Sequence, residues 1–168
     1  MDTTPLSVIL NYRTCEFTTL SRDGSPQTWP VSPHLLPDGR FLVTTSIGRP
    51  QKAVNIRRNA KVSMLFSDPT GSGIISPGAV LIQGDATIDD RVVSDVSSVP
   101  ELAALVETIF ERQPAGAFFS SWPGRWLFDF YYLRLLIYVT PRRGLYWPTR
   151  DFTNHPQELD LREVRSVG

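Results

Sequence analysis

The chain has 168 residues, 41% of them hydrophobic and 20% charged, which suits one soluble globular domain with a real core. Its 17 basic and 17 acidic side chains cancel, so it lacks the cationic excess of a typical nucleic-acid binder, and no net charge opposes self-association. A lone cysteine, Cys15, excludes an intrachain disulfide and a cysteine-built zinc site. With no signal peptide and no apolar run near the ~20 residues that span a bilayer, a cytoplasmic protein with no membrane association is expected.

The first ten residues, MDTTPLSVIL, can form a short helix with Pro5 at its start and Leu6, Ile9 and Leu10 turned inward. Short strands separated by turn signals follow. CEFTTLS leads to Asp23-Gly24, a tight-hairpin pair, and SPQTWPVSPHLL leads to the turn Pro37-Asp38-Gly39. RFLVTTS completes an expected antiparallel meander. Pro26, Pro30 and Pro33 lie in the second of these strands, where proline cannot donate to a ladder. Two readings stay open there: a plain edge strand, or a strand whose unpaired backbone faces a flat ligand.

Pro50 to Arg58 reads as a short helix ending near Asn59, and AKVSMLFS as the next strand. A polar loop, DPTGSG, precedes the strand GAVLIQGDATI. Ser98 and Glu101 have capping-box spacing, and Leu102, Leu105, Val106, Ile109 and Phe110 recur at helical intervals until near Pro114. FFSSWPGRWLFDF is ambiguous between a helical turn and a strand lead-in. YYLRLLIYVT is a strand by composition, Pro141-Arg142-Arg143-Gly144 turns it into LYWP, and the polar residues after Arg150 read as an extended or frayed tail. Residues 1–150 form one domain and 151–168 its polar C-terminal tail. Roughly six or seven antiparallel strands without βαβ alternation predict a mainly β, α+β fold: a closed or nearly closed barrel carrying helices.

The chemistry concentrates between Thr44 and Lys52. Strand hydroxyls (Thr44, Thr45, Ser46), a glycine turn at Gly48, and a helix opening at Arg49-Pro50 with Gln51 and Lys52 behind it are what a phosphate group asks for. Pro50 fits the first helical position, leaving the amides of Gln51 and Lys52 free to face an anion. A capped surface helix with solvated charges is the plainer alternative. Only Lys52 and Lys61 of the 17 basic residues are lysines. No G-x-x-x-x-G-K-[ST] or G-x-G-x-x-G run is present, and no nucleophile elbow. His34 and His155 lack zinc spacing, and Cys15, with only Arg13 as a cationic neighbour, reads as an inert packed thiol. Trp29, Trp122, Trp126 and Trp147 belong by default to the core or a dimer interface; the sharper reading is that Trp29 or Trp147 lines a pocket for a planar ring.

The run from FTTLSRDGSPQTWPV through GRFLVTTSIGRPQKAVNIRRNAKVSMLFSDP to AVLIQGDATI resembles the pyridoxamine 5′-phosphate oxidase-like family. These are split β-barrels that bind FMN, with a branch that binds the deazaflavin F420. The likeness covers Arg13 to Ile88 well and YVTPRRGLYWP more loosely. It implies a homodimer with the cofactor in a groove between subunits. Gln27, Thr28, Trp29 and Pro30 would lie beside the ring, Thr44, Thr45 and Ser46 near the ribityl phosphate, and Arg49, Gln51 and Lys52 at the helix start. Trp147 matches a tryptophan that reaches the flavin across the dimer. Where the oxidases have an arginine and a lysine on the second strand, this chain has Pro30 and Leu35; Gln51 replaces one phosphate-binding arginine, and HPQELDLREV lacks the substrate-gripping C-terminal motif. The resemblance therefore implies an FMN-dependent oxidoreductase of an unnamed small molecule rather than a vitamin B6 oxidase, with no catalytic residue assigned and no metal. The alternatives are an F420-dependent reductase and a non-catalytic flavin or haem carrier or sensor.

Overall fold

The computed structural model of the protein describes residues 4–48, 50–93, 98–112 and 134–165. β1 (Cys15–Leu20) pairs antiparallel with β2 (Pro26–Val31) across the Asp23-Gly24 turn. β3 (His34–Leu35) pairs with β4 (Phe41–Ser46) across Pro37-Asp38-Gly39. Gly24 and Gly39 take φ of +84° and +79°, the left-handed conformation that costs glycine nothing. Both hairpins are the ones expected, but the strand between them is two strands. Ser32 and Pro33 interrupt it, and Pro33 has no amide to continue a ladder.

That break sets the architecture. With β5 (Lys61–Phe66), β6 (Ala79–Val93) and β7 (Arg134–Trp147) the sheet runs β2-β1-β5-β6-β7-β4-β3. Two strands separated by two residues thus form opposite edges of one sheet. Such a sheet must curl until its edges come together. The result is the expected split antiparallel barrel, drawn round by the chain; full closure by hydrogen bonds does not occur, because β2 and β3 do not pair.

β7 also departs from expectation. Instead of turning at Pro141–Gly144, it continues through them as one 14-residue strand. Gln83 faces Arg143 and Gly84 faces Pro141, so Arg142 is the extra residue of a bulge, where a proline without a donor is tolerated. A Cβ on Gly84 would lie 2.4 Å from the Thr140 carbonyl oxygen, so only glycine fits that crossing. β6 covers one edge of β7. The other edge is shared: β4 takes residues 134–139, and β8 (Gln157–Glu158) takes Leu145 and Tyr146. The C-terminal segment is therefore not a frayed tail over these residues. Leu159 packs against Gly144, and α4 (Leu161–Arg165) buries Val164.

Eight strands, two of them only two residues long, and four helices are present among the described residues. α1 (Pro5–Asn11) opens with a capping box between Thr4 and Ser7 and buries Val8 and Ile9, whereas Leu10 faces out. α2 (Gln51–Arg58) packs Ala53, Asn55 and Ile56 against the barrel, and its last turn carries Arg57 and Arg58, which complement the helix dipole. The main core fills the barrel, with Phe17, Phe41, Met64, Phe66 and Ile137 near its centre. A second cluster lies on the outer face of β4 and β7, where α3 (Pro100–Arg112) seats Leu102, Leu105 and Val106 on Leu42 and Leu136. Trp122 and Trp126 lie outside the described residues. No helix among those described is long and apolar enough to cross a membrane.

Candidate cofactor site

The site grows from the inner face of β2. Phe17 and Thr19 of β1 are buried, and the register sets Trp29 opposite Phe17 and Gln27 opposite Thr19. Gln27 and Trp29 thus share the core-facing side of an edge strand. Thr28 lies on the other side, where its hydroxyl hydrogen-bonds to that of Thr18 at 2.8 Å. The first turn of α2 covers the inner face. Trp29, Pro30, Pro50, Gln51 and Lys52 together line a cavity of about 630 Å³.

Lys52 is the electrostatic centre of this cavity. Its Nζ stands 5.2 Å from the centroid of the Trp29 ring, a cation–π contact. Burial, and secondarily the positive charge of Arg134, holds its pKa below the usual lysine value. No carboxylate pairs with Lys52 among the described residues. Arg134 reaches this neighbourhood because β7 begins opposite Ser46. Two cations are thus concentrated beside the start of a helix, and that start has no side-chain cap. Pro50 is the cap residue itself, one position earlier than expected, and the first ladder bond runs from Val54 N–H to the Pro50 carbonyl. The amides of Gln51 to Ala53 precede that ladder and are available to an anion.

The strand hydroxyls divide by the alternation of β4. Thr45 is buried on the core side with Phe41 and Val43, whereas Thr44 and Ser46 lie on the opposite face with Leu42. The Ser46 Oγ accepts a bond from the Gly48 amide at 3.3 Å, shaping the turn into α2. Arg49 lies outside the described residues. Trp147 ends β7, at the opposite end of that strand from Arg134. Its indole N–H donates to the Asn154 carbonyl at 3.1 Å, and its ring packs on Phe152.

Two residues were missed at the sequence level. Asn55 is fully buried, and its amide uses all its bonding capacity. Nδ2 donates to Thr19 Oγ1 and Gln27 Oε1, both at 2.9 Å, while Oδ1 accepts from Gln51 Nε2 at 2.9 Å and from Arg58. It ties β1, β2 and α2 into one unit behind the cavity. An amide on the inward face of an amphipathic helix, between Ala53 and Ile56, is the sequence signal that points to it. Arg134, the one charge in the apolar run YYLRLLIYVT, is the other. Cys15 is buried in the core, and burial pushes its thiol pKa up, as an inert packed thiol requires.

No family model and no curated protein matches the sequence. Solved structures do match. A protein from Clostridium acetobutylicum related to general stress protein 26 of B. subtilis, of the pyridoxinephosphate oxidase family, superposes with TM-score 0.59 at 14% identity, over 95% of this chain and 93% of its own. An F420 reductase superposes with TM-score 0.56 at 18% identity, over 86% of this chain and 98% of its own. A haem-binding protein from Mycobacterium smegmatis gives TM-score 0.60 at 14% identity over 99% of this chain, which spans 62% of that protein. At these identities the likeness is one of fold, and the chain has the split-barrel fold of the pyridoxine phosphate oxidase-like proteins.

Proposed function

We propose that the protein is an FMN-binding oxidoreductase of the pyridoxamine 5′-phosphate oxidase-like family, cytoplasmic and homodimeric, acting on a small molecule. One observation carries the reading. Lys52 is half-buried beside a second cation, over an indole ring and at an uncapped helix start. A charge placed so is costly until an anion of matching size meets it. A ribityl phosphate supplies that anion. Lys52, Arg134 and the first amides of α2 would hold it, with the Ser46 hydroxyl, opposite Arg134 in the ladder, adjoining. The flat face of a ring would then lie along Gln27, Trp29 and Pro30, and Trp147 of a second copy would close the groove. When bound, FMN supplies two-electron chemistry at its ring; the protein's part is to bind, orient and exclude water.

Purified protein titrated with FMN, riboflavin and F420 tests this. Micromolar FMN binding that needs the phosphate is expected, and no binding of either phosphorylated cofactor by a folded protein would sink the proposal. F420 is the second reading, favoured by the F420 reductase among the structural neighbours. A carrier or sensor without turnover is the third. It is favoured by the lining of the cavity, where Lys52 is the one titratable side chain among the described residues. Reduction of the bound flavin by NAD(P)H, with reoxidation by an acceptor, would exclude the carrier.

A further inference from the structure

A second cavity, of about 680 Å³, adjoins the first. It lies between the β1–β2 hairpin and α2, and it shares Gln51 with the cofactor cavity. Its wall carries Arg22 from the hairpin and Arg58 from the end of α2, with Ser21, Ser25 and Gln27 between them. These arginines differ from most others among the described residues. Arg40, Arg57, Arg91, Arg142, Arg143 and Arg162 each pair with a carboxylate, but Arg22 and Arg58 pair with none among the described residues.

The one carboxylate on this wall, Asp23, is already engaged. It accepts from the Ser21 hydroxyl and, at 3.1 Å, from the Ser25 amide. Arg58 is oriented by a neutral group, the Asn55 carbonyl oxygen, which fixes the guanidinium without cancelling its charge. Two guanidiniums against one spent carboxylate leave the wall net positive, and planar guanidinium forks suit carboxylate and phosphate oxygens.

We infer that the Arg22–Arg58 cavity is a second anion subsite, taking a carboxylate or phosphate that lies beyond the cofactor's own phosphate. The inference rests on the flavin reading for its place next to the phosphate grip. The shared wall at Gln51 lets a single ligand run from one cavity into the other. The anion can therefore belong to an extended cofactor or to a separate anionic substrate bound beside FMN.

The test compares wild type with Arg22→Glu, in an exposed hairpin, and Arg58→Gln, which keeps an N–H donor for Asn55. Affinities are measured for FMN, for F420, whose tail carries carboxylates beyond its phosphate, and for inorganic phosphate added to FMN-saturated protein. A tenfold or greater loss of F420 binding in both variants, with FMN changed less than twofold, supports the subsite and assigns the anion to the cofactor. Unchanged F420 binding, with inorganic phosphate binding beside FMN in wild type and weakened at least fivefold in both variants, supports it and assigns the anion to a second ligand. Equal loss of FMN and F420, or no loss of any ligand, overturns it. If wild type binds no flavin at all, the cofactor reading fails on its own. The subsite is then judged by whether inorganic phosphate still binds wild type more tightly than Arg22→Glu.

Discussion

At the scale of residues, Lys52 makes the sharpest predictions. Lys52→Ala should weaken FMN by about 1.5–3 kcal/mol, the scale of a charge-assisted contact, and leave riboflavin nearly unchanged. Equal losses for the two ligands would refute the phosphate role. The pH dependence follows from the depressed pKa of Lys52. Unfolding restores the ordinary value, so between the two values the unfolded chain binds more protons, and the folded state gains stability as pH rises across that window. A bound phosphate favours the charged lysine and raises its pKa. FMN affinity should therefore fall as pH rises through the depressed value, while riboflavin affinity stays flat; parallel curves for the two would contradict this. Asn55 acts through others. Asn55→Ala strands the buried Thr19 hydroxyl and frees Gln27, Gln51 and Arg58, and should cost about 2–3 kcal/mol in urea unfolding.

At the scale of elements, β7 and its partners decide stability. Gly84→Ala drives a methyl into the Thr140 backbone, which cannot swing aside as a side chain would. A loss of roughly 1–3 kcal/mol is expected, read as a lowered Tm. Leu159→Ala should cost about 2 kcal/mol and make the segment after Arg150 sensitive to protease before the barrel unfolds. A tail cut no faster than in wild type would show that β8 holds without Leu159.

These elements also mark how far sequence reaches. The two hairpins were legible because Asp23-Gly24 and Pro37-Asp38-Gly39 act locally, within four residues of the turn they make. Pro141-Arg142-Arg143-Gly144 has the same chemistry, yet a bulge asks for those residues too, and only the pairing partner β6 distinguishes the two. The Gln51–Lys52 side of the cavity was visible as a strand–turn–helix. The role of Asn55 was not, since its partner Thr19 is 36 residues away and each residue alone is unremarkable. Arg134 is likewise placed by the β4–β7 register rather than by its neighbours in sequence.

At the scale of the whole molecule, Arg134 and Trp147 stand at opposite ends of β7, and the proposed groove sets Trp147 of a second copy beside Lys52. Mixing Lys52→Ala with Trp147→Ala chains should then regenerate about one quarter of the sites of wild type, one in each mixed dimer. Recovery of FMN binding to that level after co-refolding, with neither variant active alone, is the expected outcome. No recovery would place Trp147 outside the site.

The two-residue link of Ser32 and Pro33 has a further consequence. It holds the barrel's curvature without contributing a rung to any ladder. A cut there, by protease or by moving the chain termini to that point, would leave every strand pairing in place. It would nevertheless release two bare sheet edges, β2 and β3, towards other molecules. The expected fate of such a nicked protein is edge-to-edge polymerisation at unchanged secondary-structure content. Seen in that light, the prolines of this stretch act as a guard: they keep the seam short and poor in donors, where a more regular strand would invite a neighbour to join.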